Sequence, residues 1–247
     1  MKIEKLMSHV SHFTSLVSRL ACVGVVFLML LSTPASVLGQ DTVAWRPLSP
    51  AWEPLAGAAI FSTGALITLR PELHNVEIDL RDRLHLADLP PAHFDNILLF
   101  VPLATPFVLN IAGLEGEHNL GQTALLAGTS SLIGLAIIET CKFFYSTERP
   151  DGTSFNSFPS GHTFIAFTGA EILRREYGSD YPWIAVAGYS VAAIVGLMRI
   201  YNNRHWFSDV VGGTGVALLS VSASYALWGA GKSKTNTYTN ETITPLR

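Results

Sequence analysis

Apolar residues in this chain come in long blocks separated by short polar segments. Five blocks, at about Asn96–Gly113, Gln122–Phe144, His162–Leu173, Pro182–Met198 and Ser208–Ala230, are candidates for membrane spans, although several fall short of the roughly 20 residues a crossing takes. A sixth, Leu55–Leu69, contains Gly57, Thr63 and Gly64 and reads either as a short span or as a helix lying at the surface. The segment Arg70 to His93 is dense in Asp, Glu and Arg and reads as a solvated connector or an amphipathic surface helix. The pattern predicts an all-α protein, a multi-span membrane helical bundle of about six helices. Gly212, Gly213 and Gly215 in the last block would let helices approach closely, unless that region is simply loosely packed.

The N-terminus carries a different signal. Lys2, Lys5 and Arg19 precede the apolar run Leu20–Leu31, Pro34 follows it, and Val37-Leu38-Gly39 stands before Gln40. Residues 1–39 therefore read as a secretory signal peptide or, uncleaved, as an N-terminal anchor. Residues 40–95 then form an extracytoplasmic leader with surface helices, 96–230 a helical core, and 231–247 a polar tail. Lys and Arg concentrate in cytoplasmic loops. Arg174-Arg175, Lys232 and Lys234 thus belong inside, which turns the loops Tyr145–Ser160 and Arg199–Phe207 outward. With the leader charges also inside, this arrangement requires that Leu55–Leu69 not cross. The acidic loop Leu114–Gly121, assigned to the inside, runs against it.

Composition agrees with the spans. Hydrophobic residues make up 49% of the chain and charged residues only 14%, against roughly 25% charged in soluble domains. The net charge of −3 provides no basic field, which argues against nucleic acid as a partner. Two cysteines, Cys22 and Cys141, make no disulfide framework and read as inert apolar thiols.

Three short segments carry chemistry: Lys142-x6-Arg149-Pro150, Pro159-Ser160-Gly161-His162 and Arg199-x5-His205-x3-Asp209. Lys142 and Arg149 close an apolar helix, where a lone cation commonly snorkels to the interface. Ser160-Gly161-His162 opens a helix whose free N–H groups and dipole make an anion site. The Ser160 hydroxyl could join it, and the plain alternative is an ordinary cap with an exposed histidine. If a helix begins near Asn203, His205 and Asp209 share a face; in isolation such a pair is more often structural. A carboxylate on one imidazole nitrogen fixes the tautomer and leaves the other free to attack. Arg199 stands where it could clamp a phosphate. A catalytic metal is disfavoured: no His-Glu-x-x-His occurs, and three cations would repel one. No cofactor is called for.

Taken together and in this order, the three segments resemble the signature of the type 2 phosphatidic acid phosphatase (PAP2) superfamily over roughly Asn96 to Ala230. One departure is Met198, where the family often has Ser before the third-segment arginine. The resemblance implies a compact α-helical core and metal-independent hydrolysis of phosphomonoesters or pyrophosphates. It makes His205 the nucleophile, Asp209 its orienting partner and His162 the acid that protonates the leaving oxygen. Lys142, Arg149, Ser160, Gly161 and Arg199 would hold the phosphate. The spans point to a phosphorylated membrane lipid, and Asn202-Asn203-Arg204-His205-Trp206 before Phe207-Ser208-Asp209 is similar to envelope enzymes that dephosphorylate lipid A. This implies a bacterial inner-membrane, multi-pass protein with its site facing the periplasm. Competing expectations are an undecaprenyl pyrophosphate or phosphatidylglycerophosphate phosphatase, a soluble periplasmic acid phosphatase, a vanadium haloperoxidase, and a non-catalytic channel, transporter or assembly protein.

Overall fold

Backbone polar groups that leave water must bond to one another, and a helix satisfies them within one segment. The computed structural model describes residues 52–83 and 92–228, and every regular element in them is helical. The expected leader 1–39 and tail 231–247 lie outside the described residues. The helices are α1 (Trp52–Leu69), α2 (Pro71–Arg83), α3 (Asp95–Leu98), α4 (Val101–Ile111), α5 (Leu120–Tyr145), α6 (Gly161–Tyr177), α7 (Pro182–Tyr201) and α8 (Phe207–Trp228). Of these, α5, α7 and α8 are long and apolar enough to cross a membrane.

Local chemistry sets the boundaries. Asn119 and Gln122 form a reciprocal capping box that starts α5, and Ser146 ends it in the left-handed region at φ 36°. Ser160 caps α6 through its side chain. Pro182 opens α7, where a missing N–H costs nothing. The block Asn96–Gly113 does not run as one helix. It divides into the short α3 and then α4, with Pro102 in the first turn of α4.

Helix α6 is the centre of the bundle, packed against α4, α5, α7 and α8. Phe164, Ala166, Ala170 and Ile172 along it are fully buried. It is therefore enclosed by other helices, which its polar last turns, with Glu171, Arg174, Arg175 and Glu176, would not suggest from sequence.

Helix α1 differs from expectation. It lies along α8 through contacts that only glycines permit. A Cβ on Gly64 would stand 2.6 Å from the Gly212 nitrogen and 2.7 Å from the Ser208 carbonyl oxygen, and one on Gly215 would stand 2.3 Å from the Phe61 nitrogen. The close-approach reading of the α8 glycines holds: Gly215 faces α1, Gly213 the Ser160 backbone and Gly212 the Phe158 ring. At the other end of α1, Glu53 is buried and meets Arg174 and Arg175, each at 2.6 Å. Helix α1 thus runs the full height of the bundle alongside α8, with Phe61 and Ala65 buried in the core. Helix α2, in contrast, buries none of its residues and is a surface helix as expected.

The six long helices alternate in direction, so the α1–α4, α5–α6 and α7–α8 connections gather at one end. The opposite end holds a buried ionic network. Arg175 joins Glu171 at 2.8 Å and Glu53 at 2.6 Å, Tyr189 donates to Glu171, and His118 meets Glu176 at 2.8 Å. Charges this buried are tolerated because each has a close counter-charge.

Candidate active site

Asp209 organises the site. Its carboxylate is fully buried in the first turn of α8 and accepts from the Trp206 backbone N–H at 2.8 Å and from the Ser157 hydroxyl. The same oxygen lies 3.3 Å from Nδ1 of His205. The pairing arises differently from the expected shared helix face. Helix α8 begins at Phe207, and His205 precedes it in a tight turn in which Asn203 takes φ 53°. The imidazole is bonded through Nδ1 from outside the helix end.

His205 is 3% exposed. Burial pushes its pKa below the ordinary value; Asp209 opposes this, while Arg199 and Arg149 reinforce it. The ring is therefore neutral at pH 7, the form that attacks an electrophile.

The Ser160 backbone N–H donates to the Asp209 carbonyl at 3.0 Å, which brings the start of α6 to the start of α8. Gly213 permits this approach, since a Cβ there would meet the Ser160 carbonyl oxygen at 2.5 Å. The Ser160 oxygen is engaged at the α6 cap, accepting from Thr163 Oγ1 at 2.9 Å. A Cβ on Gly161 would meet no atom within 4 Å, so the N-terminus of α6 opens onto free space. His162 stands in that first turn, with Nε2 3.0 Å from the Asn96 amide oxygen.

Two guanidinium groups converge here. Arg199 at the end of α7 is buried and donates Nη1 to Asp95 at 2.7 Å. Arg149 comes from the α5–α6 connection. The Nε groups of both are buried and have no hydrogen-bond partner. Burial holds the Arg149 pKa below the ordinary arginine value, and repulsion from Arg204 and Arg199 adds to it, against attraction from Asp151 and Asp209. Crowded cations with unmet donors constitute an anion site. Lys142 sits in the last turn of α5 with its ammonium 3.4 Å from Glu139 of the same helix. Its ion pair therefore lies within its own helix rather than with the residues around His205. Among the described residues, no group of three His, Cys, Asp or Glu side chains is arranged to hold a metal.

Several contributors escaped the sequence reading. Asp95 is fully buried against Arg199, and Asn202 braces it at 3.3 Å while also bonding Ala92 through backbone N–H and carbonyl. Asn96 fixes the His162 ring, and Ser157 fixes Asp209. Arg204 pairs with Asp151 at 2.8 Å beside Arg149. Only the polarity of Asp95-Asn96 at the start of an apolar block could have flagged that pair.

With this geometry in hand, comparison with known proteins is informative. Residues 123–232 match the family model of the PAP2 superfamily. That segment, somewhat under half of the chain, is similar to the domains of this superfamily. The chain is 40% identical over 135 residues to the lipid A 1-phosphatase of Porphyromonas gingivalis; the match covers 53% of this chain and 30% of that protein. The chain thus spans under a third of the length of this curated relative. Its fold is similar to the crystal structure of a transmembrane PAP2-type phosphatidylglycerolphosphate phosphatase from Bacillus subtilis, with a TM-score of 0.53 and 18% identity over 71% of this chain and 96% of that one. The PAP2 match contains each of the eight site residues expected from the sequence. It excludes α1, α2 and the Asp95–Asn96 pair.

Proposed function

We propose that this chain is a lipid phosphatase that works through a phosphohistidine intermediate, with no metal. The observation that carries the reading is the pair of buried, partnerless Nε groups on Arg149 and Arg199 beside a neutral histidine held by a buried carboxylate. An ester phosphate bound by these donors and the N-terminus of α6 places its phosphorus against His205. Nε2 attacks, the P–O bond to the lipid breaks, and His162, which takes up a proton as the phosphate dianion binds, gives it to the leaving oxygen. Asp209 stabilises the imidazolium character that develops on His205. Water then attacks the phosphohistidine, His162 takes its proton, and inorganic phosphate leaves. Stabilisation of the transferring phosphoryl group comes from the guanidinium groups. Ser160 serves mainly as the α6 cap in this scheme, and Lys142 supplies positive charge from the helix end.

Lipid A is the favoured substrate, on the similarity to the Porphyromonas gingivalis enzyme across the region that carries the site. Three apolar helices support a membrane location. Arg174-Arg175 at the opposite end favours the motif loops at the periplasmic face of the bacterial inner membrane. In that orientation, α1 starts at the cytoplasmic face.

The test uses the purified full chain in detergent with EDTA. Lipid A, undecaprenyl pyrophosphate and phosphatidylglycerophosphate are supplied side by side, with phosphate release and product mass measured. Loss of one phosphate from lipid A is expected, together with an acid-labile, base-stable phosphoenzyme in the wild type that His205→Ala lacks. Undiminished turnover by His205→Ala would sink the mechanism. Preference for another lipid would displace only the substrate.

A further inference from the structure

Helix α2 buries none of its residues, yet it is not uniformly polar. Leu73, Val76 and Leu80 fall at i, i+3 and i+7, an apolar stripe on one face. They are 42%, 63% and 53% exposed, which leaves hydrocarbon facing outward. All three line a single cavity of about 260 Å3, with Ile67 and Ile200 on other walls and His205 also lining it.

The charged groups of α2 on these walls are already engaged. Glu77 accepts from the Ser208 backbone N–H at 2.6 Å and from its hydroxyl at 2.9 Å. Arg81 donates to the Pro150 carbonyl at 2.8 Å, pairs with Asp82 at 2.7 Å, and lies 5.2 Å over the Trp206 ring. These same contacts tie α2 to the first turn of α8 and to the loop that carries Arg149. The cavity therefore has a fixed position relative to the nucleophile, and its walls are mainly hydrocarbon. Its volume is below the roughly 300–1,000 Å3 of pockets that take a whole drug-sized ligand, so it suits one part of a larger molecule.

We propose that this cavity binds the stretch of substrate hydrocarbon nearest the scissile phosphate, and that Leu73, Val76 and Leu80 set the preference for it. The proposal rests on the lipid phosphatase reading above. It assigns a substrate-binding role to a helix outside the region that matches the PAP2 superfamily.

The experiment compares dibutanoyl, dioctanoyl and dipalmitoyl phosphatidate in mixed detergent micelles at matched surface concentration, for the wild type, Val76→Trp and Leu80→Trp. Both positions are exposed, so the larger side chain fills the cavity without entering the core. The expected result is a fall of about tenfold in the octanoyl-to-butanoyl ratio of kcat/KM, the worth of about two buried methylenes, with the palmitoyl-to-octanoyl ratio kept. An unchanged octanoyl-to-butanoyl ratio overturns the proposal. An equal fall in both ratios also overturns it, because the stripe would then be anchoring α2 in the bilayer surface. If the wild type hydrolyses none of the three, the choice of phosphatidate or the phosphatase reading has failed. The cavity is then tested separately with a diazirine-bearing octyl phosphonate. Photolabel on the peptide 71–83, lost in Leu80→Trp, supports the proposal, and label elsewhere only refutes it.

Discussion

At the scale of single residues, Asp209 does several jobs at once. It takes hydrogen bonds from Trp206 and Ser157 and holds the His205 ring. A hydrogen bond to a charged group contributes about 1.5–3 kcal/mol. Ser157→Ala is accordingly expected to lower kcat by about tenfold or more, with little change in KM, as steady-state kinetics would register. The pH profile gives a second check. Burial moves the His205 pKa below its ordinary value of about 6.5, so the acid limb of kcat/KM arising from this group lies below that pH. Asp209 is the influence that raises this pKa. Asp209→Asn is therefore expected to shift the acid limb to still lower pH while cutting the rate. A limb that moved upward would contradict the pairing. His205, Asp209 and the two arginines were legible because their spacing is local or belongs to a known signature. Asp95 and Asn96 were not, because their partners Arg199 and His162 are distant in sequence and a single aspartate beside an apolar block carries no address.

At the scale of elements, glycine seams and connecting turns decide how the helices meet. Gly64 and Gly215 face the α1–α8 contact from opposite helices. Gly64→Val places methyl groups against the Gly212 backbone, which cannot yield as a side chain would. Overpacking of this kind costs about 1–3 kcal/mol, and thermal unfolding in detergent should show a lowered Tm. The helices themselves were visible as apolar blocks. Their company was not. Helix α1 has the same glycine-bearing composition whether it lies on a surface or against α8, and only the match of Gly57 and Gly64 to the α8 backbone chose between them. The start of α8 at Phe207 was equally hidden, since the left-handed turn at Asn203 depends on the surrounding loops as well as on the asparagine.

At the scale of the whole molecule, the two ends of the bundle differ in kind. One end concentrates cations with unmet donors around the proposed phosphate site. The other neutralises its charges within the helices, through Glu53, Glu171, Arg174 and Arg175. Glu53→Ala removes one of the two counter-charges of Arg174 and of Arg175, each of which keeps Glu171. Loss of one partner from a largely buried ionic network is destabilising, so this variant should unfold earlier on heating, well away from the chemistry. Because α1 traverses the bundle, Trp52 and the α5–α6 loop lie at opposite ends. In a chain with Cys22 and Cys141 replaced, a membrane-impermeant maleimide is expected to label Phe155→Cys in intact cells and Trp52→Cys only after permeabilisation. Labelling of both from the same side would refute a crossing by α1.

By itself the sequence determined the helical class and most of the apolar segments and singled out the residues of the candidate site, because each depends on residues close together in the chain or on a recurrent spacing. Tertiary structure decided that α1 belongs to the core, that Asp95 and Asn96 hold Arg199 and His162, and that α2 roofs a cavity reaching His205. Those outcomes depend on backbone proximity between segments far apart in sequence, which hydropathy and spacing do not encode.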